Sequence, residues 1–505
     1  MTRHPLRRPL LFRLAALSLG LMPLVLIELV LAALGWGEPD WQDDPFVGFR
    51  GTRPLFVLNA ARDRYEIPLA RQNYFRPQSF PASKAPGEYR VFCLGGSTVQ
   101  GSPYSTETAF GAWLEIALRS ADSRRNWRVI NCGGVSYASY RLIPILQEVL
   151  GYHPNLIVVC TGHNEFLEDR TYRHIKQAPA ILALAQGWAA RLRTYCLLRA
   201  AWLHGRGQTP PPLTAERPML GAEVDALLDY RGGLTQYQRD DQWHRDVIGH
   251  FGVNLERMVH LARQAGVPLL LVNPVSNFRD CPPFKSEHPS GLSPQDRKRW
   301  EQLWIEAKPA YRTDLRQAVA CLERAAAIDD QHAGLHYQLG QCYDALGDLP
   351  RARRHYTLAK DLDVCPLRML TSMQIVLRDV ASRTRIPLLD AEALIAERCR
   401  GGIPDDSWLV DHVHPSIRGH QVIADAIAGW MIAEGALQPE AGHDQRRAAA
   451  YQAHLASLDS FYFEEGRRRL EHLRDWARGR ATIVQPPAKG GEVAAPPRER
   501  TEETP

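Results

Sequence analysis

The chain predicts an α/β fold, a parallel sheet with helices on both faces. Three observations predict it. Mostly apolar runs stand at Tyr89–Leu94, Trp127–Asn131, Leu156–Cys160 and Pro268–Val272, as expected of strands buried on both faces. Helical stretches separate most of them, and strand–helix alternation builds a parallel sheet through crossover connections. Several runs end in small or turn-forming residues, which puts short turns on the carboxyl edge, where open α/β sheets carry function.

Composition narrows the class. A chain of 505 residues, 45% hydrophobic and 23% charged, is globular and long enough for two or three domains. The net charge of +5 is small and partly carried by Arg3, Arg7, Arg8 and Arg13, which argues against a nucleic-acid surface. Nine cysteines occur without a CxxC pair, so no zinc or redox motif is visible and neither metal nor cofactor is expected. Cys93, Cys132 and Cys160 read as small buried hydrophobes. Cys281, Cys321, Cys342, Cys365 and Cys399 are available for disulfides of undeducible pairing.

Taken in order, residues 1–13 are a basic N-terminus. Leu14–Leu34 is apolar apart from Glu28, about 21 residues and enough to span a bilayer, so 14–36 reads as a transmembrane anchor. Arginines precede it and Glu38, Asp40, Asp43 and Asp44 follow, which predicts a cytoplasmic N-terminus and an extracytoplasmic remainder. The alternative is a cleaved signal peptide, for which the apolar run is long and the stretch before Trp36 offers no clean small-x-small site. The odd, high cysteine count fits a secreted location poorly. Residues 37–88 read as an irregular lead-in.

The α/β domain occupies 89–284 and resumes over 381–440, where Leu388–Asp390 is a last strand. A helical insert at 165–245 contains Thr209-Pro210-Pro211-Pro212, and a helix around Val247–Gln264 returns to the sheet. A second helical insert fills 285–380. There Leu339-Gly340-x-x-Tyr343, Ala352, Tyr356 and Ala359 resemble a tetratricopeptide repeat, with His336 where tryptophan is usual. One period upstream, Ala318, Leu322 and Ala325 match the second-helix positions, after a degenerate first helix. Such an insert serves packing or the docking of a protein partner. Residues 441–482 are helical and charged, and 483–505 form a disordered tail.

Four turns carry the chemistry. Val91-Phe92-Cys93-Leu94-Gly95-Gly96-Ser97 runs from a strand into a tight turn. It lacks the lysine of a phosphate-binding loop, and Val99 stands where a nucleophile elbow needs glycine. Alone it better suits an ordinary strand-to-helix turn. The others are Asn131–Ser139, Gly162-His163-Asn164-Glu165 and Asp411-His412-Val413-His414.

Together these blocks resemble the SGNH (GDSL-type) hydrolase superfamily, in the subgroup with a tetratricopeptide-like insert. Gly95-Gly96-Ser97 matches the nucleophile block, Asn131–Ser139 the second, Gly162-x-Asn164 the third and Asp411-x-x-His414 the last. The resemblance covers roughly 89–165, 247–280 and 385–432. It implies a three-layer α/β/α, flavodoxin-like domain. Two departures stand out: Ser136 aligns where glycine is usual, and Glu165 where aspartate is common.

The chemistry suits the resemblance. A serine hydroxyl needs a base to take its proton. His414 is the proposed base, and Asp411 would hold its tautomer and stabilise its cation. Oxyanion donors would be the N–H groups of Ser97 and Ser136 and the Asn164 amide, with Gly134 as the fallback for Ser136. His412 competes with His414 but lacks an aspartate three positions earlier. Asp411 could instead cap the following helix. Asn277, Arg279 and Lys285 are either substrate contacts or a solvated loop. The function implied is a membrane-anchored serine esterase acting on short-chain or O-acetyl esters, small molecule or polysaccharide. One alternative is an O-acyltransferase on envelope polysaccharide at the same site. Another is a non-catalytic scaffold, against which the complete set of residue types argues.

Overall fold

The computed structural model describes residues 7–36, 54–167, 192–195, 197–198, 201 and 233–477. Helix α1 spans Arg7–Leu34. Its described side chains are mostly exposed and apolar, and its carboxylate, Glu28, accepts hydrogen bonds from the backbone N–H groups of Arg193 and Thr194 at 2.9 and 2.8 Å. Among the described residues no helix is long and apolar enough to cross a membrane. The side chains of α1 before Leu19 lie outside them.

The lead-in is not wholly irregular. Strands β1 (Val57–Leu58), β2 (Arg64–Glu66) and β3 (Ser79–Pro81) make a small antiparallel sheet. Its Phe80 is fully buried, with Phe56 and Phe92 packed edge-on against it. Five aromatics in 54–80 find cover on the main domain, so hydrophobic burial orders a stretch whose local composition signals no structure.

The main sheet uses β4 (Glu88–Gly95), β5 (Asn126–Gly133), β6 (Leu156–Cys160), β7 (Leu269–Asn273) and β8 (Leu388–Asp390). Its order is β5-β4-β6-β7-β8 and every pairing is parallel. This is the flavodoxin-like order, and the winding reverses between β4 and β6. All five strands coincide with the expected runs to within two residues at each end.

Strand periodicity of two sends alternate residues to opposite faces. Phe92, Leu94, Ile157, Val159, Leu269 and Leu271 enter one core. There they meet helices α4 (Ser139–Leu150), α5 (Asp241–Gln264) and α10 (Thr371–Thr384). Val91, Cys93, Val158, Leu270 and Val272 enter the other, against α3 (Phe110–Ala121), α12 (Ile417–Ala433) and Tyr451 of α13 (His443–Ser457). These are the three layers. Cys93, Cys132 and Cys160 are buried within them.

The second insert consists of α6 (Pro294–Thr313), α7 (Leu315–Ala326), α8 (Ala333–Ala345) and α9 (Leu349–Asp361). It has its own core around Leu322, Leu335, Leu339 and Tyr356. Its boundary needs correction. Helix α10, assigned to the insert by sequence, contributes Met373, Leu377 and Val380 to the main core. The buried carboxylate of Asp363 marks the return, accepting from the N–H groups of Phe284, Lys285 and Cys365 at 2.7–3.0 Å. The first helix of the upstream pair, degenerate in sequence, is twenty residues long.

The eight cysteines among the described residues are free thiols, including the five offered for disulfides. Most of the 165–245 insert and the tail beyond 477 lie outside the described residues, except that α5 already begins at Asp241, capped by Asp240. Helix α14 (Ser460–Ala477) follows α13 and closes the described chain.

Candidate active site

Ser97 opens its own one-turn helix α2 (Ser97–Gln100), rather than the long helix that starts at Phe110. The two glycines before it are steric requirements. A Cβ on Gly95 would lie 2.1 Å from the Cys160 carbonyl oxygen, and one on Gly96 2.4 Å from the Asn164 amide nitrogen. The ends of β4 and β6 therefore press together at the reversal point of the sheet, and Ser97 emerges there half-buried.

The second turn presents a different constraint. Gly134 donates its N–H to the Gly95 carbonyl at 3.0 Å, and Val135 to the Tyr74 carbonyl at 2.9 Å. Gly134 is thus engaged and fails as a fallback donor. Ser136 sits at φ +57°, in the left-handed region, and its N–H carries no hydrogen bond among the described residues. The left-handed geometry explains why glycine suits this position. The next residue, Tyr137, takes the third turn, its carbonyl accepting from Asn164 Nδ2 at 3.2 Å. One amide hydrogen of Asn164 remains to offer. Glu165 ties the same turns from below, accepting from the Ser139 N–H at 2.7 Å and its hydroxyl at 2.8 Å. Asn254 of α5 donates to that hydroxyl at 3.0 Å, a contact sequence reasoning missed.

The last turn brings His414. His414 Nδ1 lies 2.6 Å from Asp411 Oδ2, and Nε2 lies 2.7 Å from Ser97 Oγ. Asp411 Oδ1 accepts the N–H groups of Val413 and His414 at 2.9 and 2.8 Å. Burial by itself would push the Asp411 carboxyl up, but the His414 and His412 rings and these bonds outweigh it and hold the group well below the usual carboxylate range. A carboxylate only accepts, so Nδ1 of His414 is the protonated nitrogen and Nε2 accepts the serine O–H. The helix-cap alternative for Asp411 fails, because Ser416 caps α12 through the Gly419 N–H.

His412 is no rival base. It is buried, 3.7 Å from Asp411 and packed edge-on against Phe284, and burial pushes its imidazole down to about 4. His163 is buried too, accepts from the Met369 N–H at 3.1 Å, and is pushed by burial down to about 3. The His412 ring lies 6.0 Å from that of His414, centroid to centroid. Asn277 is joined to Asp406 at 2.6 Å and Arg279 to Asp344 and Asp405, while Lys285 donates to the Tyr237 carbonyl. All three are ties within the protein, the Arg279 tie reaching Asp344 on α8. Among the described residues no group of three or more His, Cys, Asp or Glu side chains could hold a metal ion.

The elements thus bring Ser97, His414 and Asp411 into one hydrogen-bonded line and group Ser136 and Asn164 beside it. No protein-family model and no curated protein matches the chain. Several solved structures are similar to it. One is a catalytic mutant of Axe2, an acetylxylan esterase from Geobacillus stearothermophilus (11% identity, 68% of this chain and 94% of that one, TM-score 0.32). Others are a GDSL-like lipase from Bacteroides thetaiotaomicron (11%, 70% and 93%, TM-score 0.30) and a lipase/acylhydrolase from Enterococcus faecalis (12%, 70% and 98%, TM-score 0.28).

Proposed function

We propose that the chain is a serine esterase of the SGNH type, cleaving short-chain or O-acetyl esters through an acyl-enzyme on Ser97. The observation that carries this reading is the paired geometry of one imidazole, 2.7 Å from Ser97 Oγ and 2.6 Å from Asp411 Oδ2. In the first step His414 Nε2 takes the Ser97 proton as Oγ attacks the ester carbonyl. The N–H groups of Ser97 and Ser136 and the free amide hydrogen of Asn164 stabilise the oxyanion. The tetrahedral adduct collapses, the alcohol leaves with the proton held by His414, and water resolves the acyl-enzyme by the reverse proton route. Asp411 stays anionic throughout and stabilises the imidazolium.

The same intermediate would pass its acyl group to a sugar hydroxyl that reached it before water. The anchor reading rests on the apolar run 14–34 and the exposure of its described side chains, Leu19 at 72% and Leu29 at 65%. The chain should therefore pellet with membranes and be released by detergent, and recovery in the soluble fraction would remove that part.

Fluorophosphonate labelling of the chain, read by intact mass, tests the site without a known substrate. One adduct on Ser97, absent in Ser97→Ala and His414→Ala, is expected. A folded parent that stays unlabelled would favour the scaffold reading. Acetylated and free polysaccharides added to a labelling-competent enzyme then separate hydrolysis from transfer.

A further inference from the structure

The two loops that meet at the site come from distant strands. Ser97 follows β4 and His414 lies beyond β8, three positions away in the sheet, about 14 Å at the usual strand spacing. The sheet therefore leaves their separation open. The segment carrying His414 has little regular structure between α11 (Ala391–Ala396) and α12. The loop after β7 holds one side of it, Asn277 donating its N–H to the His412 carbonyl at 2.9 Å, and leaves the Val410 side to another element.

Helix α14 touches both loops. On the nucleophile side, Tyr462 Oη accepts from the Ser105 N–H at 3.2 Å and lies 2.8 Å from Thr108 Oγ1. Arg469 donates to the Tyr104 carbonyl at 2.9 Å, and Gly466 makes room for the Tyr104 ring, since a Cβ there would lie 2.1 Å from a ring carbon. On the base side, Arg474 donates twice to the Val410 carbonyl, from Nε at 3.2 Å and Nη2 at 2.8 Å. Trp476 lies against His412, ring centroids 6.3 Å apart. Val410 immediately precedes Asp411, and its own N–H donates to the His414 carbonyl at 2.9 Å. The guanidinium forms no ion pair among the described residues, so its directional bonds go to this one carbonyl.

We infer that α14 is a clamp across the site and that Arg474 is a positioning residue. By holding the Val410 carbonyl it holds the Asp411–His414 turn at working distance from Ser97. The catalytic half of this inference rests on the esterase reading above.

The test compares the full chain with Arg474→Ala and Arg474→Lys. Hydrogen exchange over residues 405–416 reads the turn, and the rates of fluorophosphonate labelling and p-nitrophenyl acetate cleavage read the chemistry. In Arg474→Ala the turn should exchange faster while the rest of the chain and the melting temperature stay put. Labelling and kcat should fall about tenfold with KM unchanged, because a small displacement of a catalytic group costs rate rather than binding. Arg474→Lys keeps a donor and should recover most of the loss. Exchange and labelling at the parental level in Arg474→Ala would overturn the clamp. So would faster exchange spread evenly over the chain. If the parent itself resists labelling while 405–416 still loosens in Arg474→Ala, the clamp stands and the esterase reading falls.

Discussion

At the scale of single residues, Ser136 is the informative position. Its N–H is the unengaged donor of the second turn, while its φ of +57° is costly for a residue with a β-carbon. The left-handed region costs such a residue about 1–2 kcal/mol, and glycine returns roughly 0.5–1 kcal/mol of that through unfolded-chain entropy. Ser136→Gly should therefore raise the melting temperature by about 1–2 °C and leave Ser97 labelling unchanged, since the N–H is kept. Calorimetry beside labelling rates checks both. Asp411→Asn keeps the shape of the turn but offers the imidazole an amide in place of a buried carboxylate. Its expected loss is about 10⁴-fold in labelling rate, with folding retained, because the tautomer needed at Nε2 is no longer enforced. The resemblance of the four turns to SGNH hydrolases singled out both positions. The engagement of Gly134 was not readable, because a backbone N–H has no side-chain signature and its partner, Gly95, lies on another strand.

At the scale of elements, the second insert is a separate packing unit. Gly340 of α8 faces the ring of Tyr356 on α9, and a Cβ there would lie 2.7 Å from it. Gly340→Ala should destabilise the insert by about 1–3 kcal/mol through overpacking. Ser97 labelling below the transition should persist, because Ser97, His414 and Asp411 all lie outside α6–α9. A labelling loss at temperatures where the chain remains folded would make the insert part of the site. Its helix pairs were legible because small residues recur at helical spacing where the helices touch. Its end was not, because Asp363, which closes it, is an ordinary acidic residue until three backbone N–H groups converge on it.

At the scale of the whole molecule, buried histidines set the acid limit. Burial pushes His163 and His420 down to about 3, and His332, His355 and His412 down to about 4. Between those values and the unfolded pKa near 6.5, the unfolded chain binds protons that the folded chain refuses. Stability should therefore fall as pH drops below about 6.5, by up to ~1.4 kcal/mol per pH unit for each histidine. Asp363 works the other way. Burial raises it to about 7, so its contribution weakens as pH rises towards that value. Burial also raises the carboxyls of Glu148, Glu392, Asp406 and Asp425, but from starting values of 3.8–4.5, and it lowers His336 as well, so just below pH 6.5 the net slope stays with the histidines. Melting temperatures across mildly acidic buffers should decline steadily, and a flat profile would mean that these rings take up protons in the folded state.

The amino-acid sequence by itself determined the strands, their parallel direction and the four turns on one sheet edge, because burial on both faces and tight turns leave local marks in residue type. It also determined which serine, histidine and aspartate stand on those turns. Only the tertiary structure decided which N–H groups remain unengaged, where the insert ends and how loops from strands three places apart come within 2.7 Å. Those outcomes depend on contacts between residues remote along the chain. Arg474 and Val410, 64 residues apart and unremarkable in composition, illustrate it: the bond between them exists only because α14 returns across the sheet edge.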